Sequence, residues 1–135
     1  MMKKAVLMVN RQIRRTRNDE FVPTRKFSKA QEKAVAKAIG GKQTANSGAT
    51  DFGGKSDVNV ANLISIECKT KMTHSESISI KKDWIDKLRA EAAFDGHEYT
   101  AIAFNFGPDE EMHYIIDEYL FKTLVDILKE QHGRS

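Results

Sequence analysis

The 135-residue sequence predicts an α/β sandwich: a mixed β-sheet flanked by helices. Three observations support this. Ser56–Val60 and Ile64–Lys69 alternate apolar and polar residues with period two, as half-buried strands do. Lys81–Asp95 and Glu118–Gln131 carry apolar residues at helical spacing. The resulting order, helix, hairpin, helix, strand, strand, helix, is that of a layered α/β domain.

The elements follow in chain order. Lys4–Val9 reads as a short strand. Arg11-Gln12-Ile13-Arg14-Arg15-Thr16-Arg17 has too few apolar residues to pack and reads as an arm or loop, extended by Pro23 and Arg25-Lys26. The division drawn here is a basic N-terminal arm or edge strand over 1–27 and a single domain over 28–135.

Ser28 starts the first helix as a cap, with Gln31 three residues on completing a capping box, and Gly40-Gly41 stops it. On this helix Glu32, Val35 and Ile39 share one face. A carboxylate on an apolar stripe must lie at the edge of that stripe, be paired, or bind a cation.

Gln43–Lys55 is polar and glycine-rich, hence a loop, and Ser75–Ile80 reads as a further extended piece. The helix over Lys81–Asp95 turns Trp84, Ile85, Leu88 and Ala92 inward and ends at Gly96. Tyr99–Phe106 is a strand closed by Gly107-Pro108, and Met112–Ile116 a short strand. Glu118–Gln131 is a closing helix with Leu120, Leu124, Ile127 and Leu128 on one side. No internal repeat occurs.

Composition narrows the class. The chain is 40% hydrophobic and 30% charged, ordinary for a globular protein. Its first apolar run is too short for a signal peptide, and no segment approaches the ~20 apolar residues a bilayer requires. One cysteine excludes an internal disulfide and fits a reducing cytosol. The net charge of +3 conceals a division. Residues 1–42 hold 12 Lys and Arg against Asp19, Glu20 and Glu32, a net +9. Residues 43–135 hold the other 10 against 16 Asp and Glu, a net −6. A basic first third beside an acidic remainder suggests a polyanion partner and a carboxylate-lined site, or else simply a solvated basic tail.

The central hairpin carries a register argument. Val58 and Val60 share one face, with Asp57 and Asn59 on the other. Ile64, Ile66 and Cys68 likewise oppose Ser65, Glu67 and Lys69. A two-residue turn would mix these faces. A three-residue loop, Ala61-Asn62-Leu63, pairs Val60 with Ile64 and Val58 with Ile66, and so sets Asp57 opposite Glu67. Like charges opposed in a sheet destabilise it. A divalent cation reverses the sign, since carboxylate oxygens are the ligands Mg²⁺ prefers. Lys69, on the same face, can then hold a water or stabilise charge on phosphate. A surface hairpin with a Glu–Lys pair is the bland alternative.

Glu32, Ser47-Gly48, Ser56-Asp57 and Glu67-Cys68-Lys69, in this order and spacing over about residues 28–106, resemble the PD-(D/E)XK nuclease superfamily, and within it the small archaeal and phage-type Holliday-junction resolvases. Ser56 stands where the motif has its proline. The resemblance implies a restriction-endonuclease-like fold and metal-dependent cleavage of branched DNA by a C₂ homodimer. The compartment it implies is the cytoplasm of a prokaryotic cell or phage-infected host. It also implies residue roles. Asp57, Glu67 and the backbone carbonyl of Cys68 would bind Mg²⁺, with Mn²⁺ able to substitute, and Glu32 would complete the site directly or through water. Lys69 would orient or activate the attacking water, and Ser47 would contact DNA near the scissile bond. Lys81 stands near where relatives place a basic or amide side chain. Arg11, Arg14, Arg15 and Arg17 join the DNA-binding set on charge alone.

Other readings stay open: a nuclease acting on plain duplex, for nicking, repair or restriction; a non-catalytic DNA-binding module; and a nucleotide binder. Ala49 to Ser56 nearly matches a phosphate-binding P-loop, but the flanking strand and helix its mechanism needs are wrong. His74, His97, His113 and His132 show no metal-ligand spacing. Cys68 reads as an inert thiol facing the core.

Overall fold

A computed structural model describes residues 24–44 and 56–133. It contains helix α1 (Thr24–Ile39), strands β1 (Lys42–Gln43), β2 (Val58–Val60) and β3 (Ile64–Lys69), helix α2 (Lys82–Asp95), strands β4 (Tyr99–Phe104) and β5 (His113–Ile116), and helix α3 (Glu118–Gln131). The strands form one sheet in the order β1-β2-β3-β4-β5. All neighbours are antiparallel except β3 and β4, which run parallel with α2 as their crossover. The mixed sheet and its flanking helices agree with the α/β expectation. Among the described residues no helix is long and apolar enough to cross a membrane.

Helix α1 begins four residues before Ser28, across the boundary drawn at residue 27, so Ser28 is not its cap. Gln31, released from capping, is buried and ties α1 to the end of β3. Its Nε2 donates to the Lys69 carbonyl at 3.1 Å, and its Oε1 accepts from the Thr70 hydroxyl. The stop at Gly40-Gly41 is as expected. Gly40 is left-handed at φ 71°, and the Gly41 N–H donates to the Ala36 carbonyl at 2.8 Å. A Cβ on Gly41 would come within 2.9 Å of both Val58 Cγ1 and Val60 Cγ2, so only glycine lets the chain turn here against β2.

The two faces of the sheet bury different things. On the α1 side Val35, Ala36, Val58, Ile66, Ala101 and Ala103 form the core, bordered by Val60, Ile64, Cys68, Met112 and Ile116. Alternation puts Ser65, Glu67, Lys69 and Ile102 on the opposite face, where α2 supplies buried Leu88, Glu91 and Ala92. One face is a dry core and the other is partly polar.

Several elements depart from the sequence reading. Lys42–Gln43, assigned partly to a loop, is a short edge strand on β2. Ser75–Ile80 forms no strand; the Ser75 hydroxyl instead bonds the Ser77 carbonyl at 2.8 Å, a local turn that competes with extended pairing. Helix α2 begins at Lys82, with Lys81 as its extended N-cap residue. Strand β4 ends at Phe104, because buried Asn105 turns its amide to the Glu110 carbonyl at 3.3 Å. Helix α3 is well capped, Asp117 accepting from the Leu120 N–H at 3.0 Å. Of the four residues on its apolar side only Leu120 is buried; Leu124, Ile127 and Leu128 are exposed. In its first turn Tyr119 stacks on Tyr99 at 5.6 Å between ring centres. The Lys4–Val9 strand lies outside the described residues.

The hairpin has the expected register, Val60 with Ile64 and Val58 with Ile66. Its loop places Ala61 and Asn62 in the left-handed region, at φ 55° and 56°. The Asn62 N–H donates to Asn59 Oδ1 at 2.9 Å, and Asn59 Nδ2 returns a bond of 2.9 Å to Asn62 Oδ1. Asparagine adopts this conformation at lower cost than alanine. Ala61→Gly should therefore raise unfolding free energy by about 0.5–1 kcal/mol, the relief of the Cβ clash less glycine's entropy. Denaturant melts showing equal or lower stability would remove that strain from the hairpin.

Candidate active site

The register that pairs Val58 with Ile66, carried one residue outward, sets Asp57 opposite Glu67. Asp57 is buried, 9% exposed, and its Oδ2 accepts the Cys68 N–H at 2.8 Å. The carboxylate is thereby oriented by the backbone of the very strand that carries Glu67 and Lys69. Asp57 is also the electrostatic centre of the region, since its charge acts on Glu32, Glu67 and Glu91.

Glu32 reaches this centre from α1. It is 6% exposed, and its Oε1 has no hydrogen-bond partner; the Lys29 ammonium lies 3.6 Å away, beyond hydrogen-bond range. Burial, and then the Asp57 charge, push the Glu32 carboxyl above the usual range, with Lys29 opposing. A buried carboxylate oxygen without a donor is costly.

Glu67 is more strongly perturbed. Burial first and Asp57 second push its carboxyl up to about 7, while Lys69 pulls the other way. The Lys69 ammonium sits 3.9 Å from Glu67 Oε2 and 4.4 Å from the ring centre of Trp84. Glu67, Lys69, Asp83, Trp84, Lys87, Leu88 and Glu91 together line a cavity of about 240 Å³ between β3 and α2. The structure thus gathers Asp57, Glu67 and Lys69 at the end of the hairpin, with Glu32 approaching from the first helix.

Among the described residues no three acidic, histidine or cysteine side chains are already drawn together as a ligand set. The donors nevertheless suit a hard divalent ion. They are carboxylate oxygens, one is orphaned and buried, and the Glu32 and Glu67 carboxyls, raised first by burial, are each raised further by the charge of Asp57, a repulsion that a bound dication would relieve.

The remaining assignments divide. The Cys68 side chain packs against the α1-side core, and burial with three nearby carboxylates pushes its thiol up, so it is inert as expected. Lys81 is exposed at the start of α2 and makes no side-chain cap. His74 bonds Glu110, and His97 bonds buried Ser65 at 2.8 Å. Ser56 leads directly into β2, not into the helix that a phosphate-binding P-loop needs. Ser47, Arg11, Arg14, Arg15 and Arg17 lie outside the described residues. Two participants escaped the sequence reading. Glu91 stands three residues after Leu88 and seven after Trp84, on the same inward stripe, a carboxylate placed as Glu32 is. Trp84 was read only as core.

None of the family models, curated proteins or solved structures compared with this chain matches it.

The raised Glu67 value has a consequence for stability. Between the ordinary value of 4.5 and about 7, the folded state holds a proton that the unfolded chain has released. Without divalent ions, stability should therefore fall as pH rises through that window, by no more than roughly 3 kcal/mol. Glu32 and Glu91 add to the same direction. Millimolar Mg²⁺ should restore stability above pH 7, and Glu67→Gln should flatten the slope. Thermal melts at pH 5 and 8, with and without Mg²⁺, check this; a metal-free protein more stable at pH 8 would contradict it.

Proposed function

We propose that this chain is a metal-dependent DNA endonuclease, acting by preference on branched DNA such as a four-way junction, in the cytoplasm of a prokaryotic cell or phage-infected host. The observation that carries the reading is the juxtaposition of Asp57, Glu67 and Lys69 on one hairpin, with buried Glu32, whose Oε1 lacks a hydrogen-bond partner, in the field of Asp57. The resemblance of Glu32, Ser47, Asp57 and Glu67-Cys68-Lys69 to the PD-(D/E)XK pattern supports it.

In this reading Asp57, Glu67 and the Cys68 carbonyl hold Mg²⁺ or Mn²⁺, with Glu32 joining directly or through water. The ion supplies Lewis-acid stabilisation of charge on the attacked phosphate. The chain's own groups do the rest. The Cys68 N–H holds Asp57 in position. Lys69 presents its ammonium beside Glu67, where it can orient the attacking water or meet charge that develops on phosphate oxygens. Arg11, Arg14, Arg15 and Arg17, with Ser47 and Lys81, supply contacts to the backbone. A binding module without chemistry has no use for buried, mutually repelling carboxylates.

The deciding experiment is cleavage of a labelled four-way junction under Mg²⁺, with matched duplex and single-strand controls. Junction cleavage well above duplex cleavage is expected. Equal rates would make the enzyme a duplex nuclease, and binding without cleavage under Mg²⁺ or Mn²⁺ would end the enzymatic reading. Asp57→Asn and Glu67→Gln should each lower cleavage by about a hundredfold or more while DNA binding survives. Replacing the four arginines by glutamine should flatten the salt dependence, each lost phosphate contact lowering the slope of log K against log salt by about 0.9 on duplex. An unchanged slope would leave the segment a solvated tail.

Symmetrical junction cleavage needs two sites, hence a C₂ homodimer. Helix α3 offers the face. Phe121, Leu124, Ile127 and Leu128 are exposed on it, with acidic Glu118 in its first turn and basic Lys129 in its last. Two copies laid antiparallel would join the apolar stripes and bring each Glu118 toward the other's Lys129. Leu124→Glu with Leu128→Glu should convert a dimer to a folded monomer by sedimentation; a persistent dimer would move the interface elsewhere.

A further inference from the structure

From the α2 side of the cavity we infer that Trp84 is a positioning residue for Lys69: its ring face holds the ammonium beside Glu67. The inference rests on the reading of Lys69 as a participant in cleavage, but its geometry is independent of that reading. The Lys69 Nζ lies 4.4 Å from the Trp84 ring centre and 3.9 Å from Glu67 Oε2. Both side chains line the cavity that Lys87 and Glu91 share.

The need for a second hold follows from the chemistry of Glu67. Its oxygens are wanted by a divalent ion and by Lys69 at once. Once they turn to a dication, the ammonium loses much of its nearest attraction and feels the repulsion of the ion. A long lysine side chain would then swing to solvent, where its charge is best hydrated. Another carboxylate as a hold would compete for the ion. An indole face attracts a cation through its quadrupole and has no lone pair to offer a hard metal. Trp84 therefore keeps the ammonium beside the site whether or not Glu67 is engaged.

The position on α2 suits the role. Trp84 is half-buried in the first turn, and its backbone N–H donates to the Lys81 carbonyl at 3.0 Å. Leu88, one turn further, is fixed in the packed layer. The ring is anchored by the helix that crosses between β3 and β4, so its place relative to β3 is set by the fold.

The test uses the full chain. With lysine side chains isotopically labelled, the Lys69 ε-methylene protons, assigned by their loss in Lys69→Met, should resonate upfield of the other lysines through the indole ring current. That shift should persist when Mg²⁺ is added, diminish in Trp84→Phe and vanish in Trp84→Leu. On junction DNA, Trp84→Leu should lower kcat by about tenfold with KM little changed, and Trp84→Phe should stay within about threefold of wild type. A ring that only packs would alter thermal stability with no upfield lysine signal and no kcat loss that phenylalanine rescues. If Trp84→Leu does not fold, the wild-type and Trp84→Phe spectra decide alone. An ordinary Lys69 shift in the wild type, or one lost on adding Mg²⁺, overturns the inference. A wild type that cleaves no DNA while showing the persistent shift would sink the nuclease reading and leave the lysine hold standing.

Discussion

Asp57 is held by a backbone N–H of the strand opposite, and much else in the domain follows from that bond. It fixes a carboxylate at the open end of the hairpin, next to Glu67, where its charge acts on Glu32 and Glu91. Each of these neighbours is pushed toward its neutral form, with burial the larger cause and Asp57 a further one. Such a cluster costs stability when metal-free and ionised. The apolar core on the α1 face, built from Val35, Val58, Ile66 and Ala103, is what tolerates that cost, and it lies on the other side of the same strands. Period-two alternation is thus used twice: one residue set builds the core, and the set between it carries the charge.

That division explains which features were legible in the sequence. The hairpin register could be read because moving it by one residue would invert every side chain, and patterning then leaves one answer. Glu32 could be read for a similar reason, as a carboxylate on an apolar helical stripe. The same rule applied to α2 finds Glu91, three residues after Leu88 on the stripe that Trp84 and Leu88 define, where it is buried. Trp84 was taken as core because an aromatic at helical spacing usually is; that its face meets a lysine depends on how α2 lies across β3, which no local pattern encodes.

The departures in the fold share a cause of another kind. Helix α3 has the periodicity of a packed helix, yet Leu124, Ile127 and Leu128 stay exposed. Periodicity reports that a face wants cover and is silent about whether the chain's own sheet supplies it. Ser75–Ile80 has strand-like composition, but after the Ser75 N–H donates to the Phe106 carbonyl at 2.8 Å the Ser75 hydroxyl turns to the Ser77 carbonyl, a local bond that competes with extended pairing. The two-residue β1 was invisible because its pairing comes from the turn at Gly40-Gly41 and not from its own side chains.

The charge division now takes on a structural meaning. Residues 43–135 carry a net −6, and the described carboxylates of that part include the ones gathered around Asp57. A polyanion approaching them alone would be repelled. Two sources of positive charge would offset this. One is a dication at the carboxylates, which would invert the local field. The other is the net +9 of residues 1–42, whose reach is limited by screening to about 8–10 Å at physiological salt. Helix α1 belongs to that basic third and brings Glu32 into the acidic cluster, with Lys29 at 3.6 Å. At α1 a residue of the basic segment therefore stands in the field of the acidic cluster, and a dication bound there would let that field accept a polyanion instead of repelling it.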